Sequence, residues 1–118
     1  MEPDKFVDAV RDSVMDGAVD DVITSFTSPA GRQPAPELVE LSQWYLKLTS
    51  GDQEMLRRAL AQASHAAVFG LFTVFDGVRR IDDEQPPCEF QLWYEGRDGR
   101  RLLSGNLHDS LNSKSWYR

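Results

Sequence analysis

The stretch DQEMLRRALAQASHAAVFGLFTVFD, residues 52–76, decides how this chain folds. Its first half is amphipathic, with Met55, Leu56, Ala59 and Leu60 on one stripe and Arg57 and Arg58 left in water. From residue 66 on, Val68, Phe69, Leu71, Phe72, Val74 and Phe75 leave almost no polar side, and a helix apolar all round belongs at the centre of a domain. Ser50 or Asp52 is placed to cap it, and Gly77 to end it with a left-handed residue. The aromatic and β-branched content of residues 68–75 also fits a buried strand, which is the alternative to helix here. The expectation is a core helix over residues 52–76.

Working back, residues 36–48 carry Leu38, Leu41, Tyr45 and Leu48 on one helical stripe behind Pro36, with Glu37 and Glu40 near the positive helix end. The preceding SPAGRQPAP, residues 28–36, holds three of the six prolines and reads as a loop. Near the start, Phe6, Val7, Val10 and Val14 share one face of a helix over residues 3–16, with Pro3 in its first turn. Val19, Val22, Ile23 and Phe26 form a second apolar set on the side opposite to the first. A straight helix cannot point both sets inward, so a break at Gly17 and a second helix over residues 18–27 are expected. One continuous helix between two partners is the rival.

Working forward, DDEQPP at 82–87 is a turn into extended structure. Phe90, Leu92 and Tyr94 alternate with Glu89, Gln91, Trp93 and Glu95, the period of a half-buried strand over 88–95, and Gly96-Arg97-Asp98-Gly99 turns it into a second strand at 100–104. Two strands alone are marginal in water, so Phe90, Leu92 and Tyr94 are expected against the helices. Residues 107–112 add a short final helix. The fold class is therefore α+β, mostly helical: four helices around a central apolar one, a C-terminal hairpin and a last helical turn, in one domain over residues 1–118.

With 118 residues, 41% hydrophobic and 27% charged, the composition is that of a folded domain expected to bury about two-thirds of its unfolded surface. The net charge of -6 opposes attraction to nucleic acid or anionic membranes. The lone Cys88 allows no internal disulfide, and no basic start with an apolar run marks a secretion signal, so a cytoplasmic location is expected.

Charge is uneven. Residues 1–27 hold seven acids against Lys5 and Arg11, while residues 96–118 hold five bases against Asp98 and Asp109. Asp4, Asp8, Asp12, Asp16 and Asp20 recur every fourth residue along the first helical segments, although such repelling neighbours do nothing for helix stability. A solvated helix face is the plain explanation. The sharper one is a docking face that a basic protein would neutralise. It holds only if those carboxylates are free of partners within the chain.

Motifs for chemistry are sparse. His65 lies in the middle of the central helix, where packing explains it, and the neighbours His108 and Asp109 point about 100° apart on a helix, so local capping suits them better than pairing. His65, Cys88 and His108 lack the close ligand spacing of a zinc site, and no acidic calcium loop, glycine-rich phosphate loop or dinucleotide fingerprint is present, so neither metal nor cofactor is expected. The tryptophans and tyrosines occur only as Trp44-Tyr45, Trp93-Tyr94 and Trp116-Tyr117, pairs that would serve as contacts in a homo-oligomer.

Three stretches, GRQPAPELVELSQWY (31–45), VFGLFTVFDGVRRI (68–81) and NLHDSLN (106–112), are similar to a family of small uncharacterised bacterial α+β proteins with immunity- or antitoxin-like associations beside secreted toxins. They cover under a third of the chain. The resemblance implies helices followed by a short sheet and leaves the roles of Arg32, Arg79 and Asp109 open. The expected function is a non-enzymatic interaction protein whose acidic helix covers a basic protein surface, as an immunity protein covers a toxin. The alternative is a small enzyme or ligand-binding domain that gathers Arg79, Arg80, His108 and Asp109 around an anion, which requires those four groups to converge.

Overall fold

The computed structural model of the chain describes residues 1–29 and 31–116. The opening aspartate-bearing segment is helical without interruption: α1 (Pro3–Ala9), a π-helical stretch (Val10–Met15) and α2 (Asp16–Thr27). The expected break at Gly17 is therefore replaced by something subtler. Across Val10–Met15 the backbone bonds skip an extra residue, with the Asp16 N–H donating to the Arg11 carbonyl. That extra residue turns the apolar set around the axis. Val14, expected inside, is 55% exposed, and Met15 takes its place at 4%. Gly17 sits inside α2 as an ordinary helical residue, and a Cβ there would meet nothing within 4 Å. The helix runs on and changes its buried face.

Because of that change, one helical run feeds two cores. Val7 and Met15 join Phe72, Leu107 and Leu111 in the first, with Phe6, Val10, Val68, Phe69 and Leu92 packed around them. Ile23 and Phe26 join Tyr45 in the second, surrounded by Val22, Leu38, Leu48, Leu56 and Leu60. The second core brings in α3 (Pro36–Leu46), held to the end of α2 by the buried Ser42 hydroxyl donating to the Phe26 carbonyl. Phe26 and Tyr45 meet with ring centroids 5.6 Å apart. The long α4 (Ser50–Phe75) spans both cores through Leu56 and Leu60 at one end and Phe72 at the other. Its cap is Thr49, whose hydroxyl accepts the Asp52 N–H at 3.1 Å, in place of Ser50 or Asp52. Its apolar half is not enclosed all round: Phe72, Thr73 and Val74 are buried, while Leu71 is half exposed. Gly77 follows α4 with φ +77°, the left-handed conformation expected of a glycine that stops a helix.

Beyond α4 the chain runs without regular structure as far as β1 (Trp93–Gly96), which pairs antiparallel with β2 (Gly99–Leu102) in a two-stranded sheet, Trp93 opposite Leu102 and Tyr94 opposite Arg101. Both strands are shorter than the alternation suggested: the ladder stops short of Leu92, whose N–H donates to the Ser104 hydroxyl at 3.0 Å instead of to a backbone carbonyl. The hairpin is also less buried than expected. Leu92 reaches the first core, but Phe90 is 46% exposed and Tyr94 38%. The last helix, α5 (Leu107–Asn112), drives Leu107 and Leu111, both wholly buried, between α1 and α4.

Two small cores make an extended molecule. The radius of gyration is 17.9 Å, against about 13.5 Å for a compact domain of this length. The accessible surface is 8222 Å², about 1,700 Å² more than folded monomers of 13.4 kDa expose. The chain buries about 58% of its unfolded surface rather than two-thirds.

Candidate functional site

The aspartate stripe is where the sequence placed a partner, and the structure supplies partners from within the chain. Asp4 accepts the Ser110 hydroxyl at 2.8 Å, Asp8 pairs with the Lys114 ammonium at 2.9 Å, and Asp20 pairs with the Arg57 guanidinium at 2.8 Å. Asp12 and Asp16 are not free of interactions either. Glu2 holds Arg101 of β2, and Arg11 donates to the Ser115 carbonyl at 2.7 Å. The acidic start and the basic end of the chain therefore answer each other. These contacts lie at the surface, where an ion pair contributes roughly 0–1 kcal/mol, and the Asp8 and Asp20 side chains keep 54% and 65% of their surface.

The four groups of the anion-site alternative are divided. Arg79 folds back along α4, with its guanidinium only 3.0 Å from where a Cβ on Gly70 would stand. Arg80 is engaged by Asp82 at 3.2 Å and by the Glu84 carbonyl. Both arginines border a cavity of about 180 Å³ beside Val74, Asp82 and Cys88, and neither His108 nor Asp109 lines it.

His108 has a different partner, one that sequence reasoning missed. The Asp76 carboxylate, just past the end of α4 and with no side-chain exposure, accepts the Gly105 N–H at 2.6 Å, the His108 N–H at 2.8 Å and the His108 Nδ1 at 2.5 Å. Burial pushes the carboxyl pKa up, but hydrogen bonds from the His108 backbone and ring and from the Gly105 and Leu107 backbones outweigh it and hold it below the usual value. Facing a carboxylate oxygen that accepts other donors, Nδ1 is the protonated nitrogen. Its Nε2 lies 3.5 Å from Asp109, and Phe69 meets the ring edge-on at 5.9 Å. A carboxylate-oriented imidazole is half of a catalytic pair, but no nucleophile completes it among these contacts. Chemically the cluster is a helix cap: Asp76 satisfies the first N–H groups of α5, which Asn106 leaves uncapped.

His65 is the one described residue with a buried side-chain nitrogen lacking a hydrogen-bond partner, at Nδ1. Burial, reinforced by Arg11, lowers its pKa and keeps the ring neutral. Among the described residues no group of three or more His, Cys, Asp or Glu could hold a metal ion.

The strongest candidate for a binding face is apolar. Phe6, Val10 and Val14 form one wall and Leu92, Trp93 and Tyr94 the other wall of an open groove of about 400 Å³ that no charged side chain lines. The helical wall exists because the π-helical stretch turns Val14 outward. The other wall exists because the hairpin stands off the helices, so that Trp93, at 41%, and Tyr94 stay accessible. At its hairpin end the groove meets a polar cavity of about 470 Å³ bordered by Glu2, Arg97, Asp98, Arg100 and Arg101. Arg100 pairs with Glu95 at 2.7 Å and lies over the Trp93 ring, 4.6 Å from its centre. Period-two alternation revealed the hairpin, but nothing in the spacing could announce a groove built from residues 78 or more positions apart.

Comparison of the chain with protein-family models, curated proteins and solved structures finds no match.

Proposed function

We propose that this chain is a non-enzymatic, cytoplasmic binding protein that covers part of a partner protein, in the manner of an immunity protein blocking a toxin. Its contact face is the groove between the π-helical stretch and β1 rather than the aspartate stripe. One observation carries this reading: a two-stranded sheet with both strands exposed stands beside an uncharged groove, and Val14, Trp93 and Tyr94 lie open to water. Contiguous apolar surface with aromatic residues, rimmed by arginine, is the composition of contact faces. The stripe contributes less, because its carboxylates already hold cations and hydroxyls of this chain. The exposed free thiol of Cys88 fits a reducing compartment. No helix among the described residues is long and apolar enough to cross a membrane.

The test is coexpression with the products of adjacent genes, followed by calorimetry in low and high salt. The expected complex changes little with salt, as an apolar contact does, and weakens at least about tenfold with Val14→Asp while circular dichroism stays unchanged. Absence of any complex overturns the proposal. So does a complex that Asp8→Lys abolishes and Val14→Asp leaves intact, since the stripe would then be the contact.

A further inference from the structure

We infer that the groove and the outer edge of β1 are completed by a second copy of the chain, joined across a two-fold axis into a four-stranded sheet. This rests on the reading of that face as a contact face, and it names the occupant.

Three observations lead there. The first is area. The surplus of about 1,700 Å² over a folded monomer, spread over an extended chain, exceeds the roughly 1,000 Å² that each partner gives to a large permanent interface. The second is charge. Two copies of a chain at -6 repel each other over most of their surface. Around this groove opposite charges are paired: Glu2 holds Arg101 and Glu95 holds Arg100, with Arg97 and Asp98 beside them, and the groove itself has no charged side chain. Two identical acidic molecules can approach here without like-charge opposition. The third is the open ladder. A two-stranded sheet is marginal in water, and β1 has β2 on one side only.

The backbone also specifies how the copies would meet. The Leu103 N–H donates to the Leu92 carbonyl at 2.8 Å. Antiparallel pairing alternates, so Leu92, Tyr94 and Gly96 direct their backbone groups toward β2, while Trp93 and Glu95 direct theirs outward. An antiparallel second β1 satisfies both only with Tyr94 opposite the partner's Tyr94 and Trp93 opposite the partner's Glu95. Such pairing is isologous, the same patch serving both copies, and therefore closes as a dimer. The added strand lies along the groove, over Val10 and Val14.

Sedimentation equilibrium of the full chain from low micromolar to near millimolar concentration is the first measurement. A dimer is expected, and Val14→Asp should weaken it about tenfold or more with helicity unchanged. In a Cys88→Ser background, Tyr94→Cys should oxidise to a covalent dimer, because a non-hydrogen-bonded antiparallel pair brings the two Cα atoms within disulfide reach. A chain that stays monomeric overturns the inference. So does a dimer indifferent to Val14→Asp, or one whose Tyr94→Cys form does not cross-link. A monomer that still takes up a neighbour-encoded protein in a Val14-dependent manner removes the self-pairing and leaves the binding reading intact. A dimer that takes up no such protein does the reverse.

Discussion

Asp76 and His108, 32 positions apart in sequence, form a contact in which one carboxylate without side-chain exposure accepts both the backbone N–H and the ring Nδ1 of the same histidine. The end of α4 thereby becomes the cap of α5, whose Leu107 and Leu111 complete the first core. Removing the carboxylate leaves several N–H donors unsatisfied at once.

Asp76→Ala is therefore expected to lower stability by about 2 to 4 kcal/mol, the range for losing a cap together with charge-assisted buried bonds. His108→Gln, which keeps the backbone donor, should cost about 1 kcal/mol. Urea midpoints of the three proteins measure this, and equal losses for both variants would show that the ring rather than the cap carries the contact.

The same contact sets an acid limb. The folded-state pKa of Asp76 lies below its ordinary 3.8, so as pH falls the unfolded chain takes up the proton first. Its stabilisation is full above 3.8 and is lost as pH falls through the lower folded value. Asp76→Asn should be less stable than wild type at neutral pH, with the gap closing as pH falls below 3.8 and through the lower folded value. A gap that stays constant across that range contradicts the assignment.

His65 titrates in a separate window. Its pKa in the folded chain is pushed below 6.5 by burial and Arg11, so the neutral ring is the stabilising form. That stability is present above 6.5 and declines as pH falls below it, because the unfolded chain again binds more protons. His65→Leu removes an unsatisfied buried nitrogen and is expected to gain about 1 kcal/mol at neutral pH and more near pH 5. Thermal melts at the two pH values decide it.

Gly17→Ala separates a broken helix from a continuous one. With helical geometry on both sides and open space where the Cβ would stand, alanine should stabilise by about 0.5 to 1 kcal/mol. A destabilising effect would restore the break.

Asp8→Lys places a second cation against Lys114, now 2.9 Å from Asp8. On an exposed helix face the loss should stay within about 1 kcal/mol and shrink in high salt. Unfolding of this variant would mean that the stripe helps hold α5 in place.

What sequence could and could not say is clearest in the first helical run. The two apolar sets were legible from spacing alone, and so was their incompatibility with one straight helix. The remedy was not, because a π-helical stretch and a break at Gly17 both reconcile the same pattern, and the choice depends on backbone bonds that only packing against α4 and α5 selects. In the hairpin, the alternation of Phe90, Leu92 and Tyr94 predicted strand pairing, yet alternation cannot say how closely a sheet approaches its neighbours. Phe90, which precedes the paired residues, and Tyr94, within them, stay 46% and 38% exposed.

Local rules thus determined the elements: the helix stop at Gly77, the turn before β2 and the α+β class follow from backbone preferences and hydrophobic period within a few residues. Tertiary structure decided which distant groups meet. Charge balance over the chain was visible in composition, but that Lys114 and Arg57 rather than a foreign protein answer Asp8 and Asp20 depended on where α5 and α4 dock. Ion pairs and grooves form between elements, and the free energies that dock those elements are summed over the whole chain, not written in any one stretch of it.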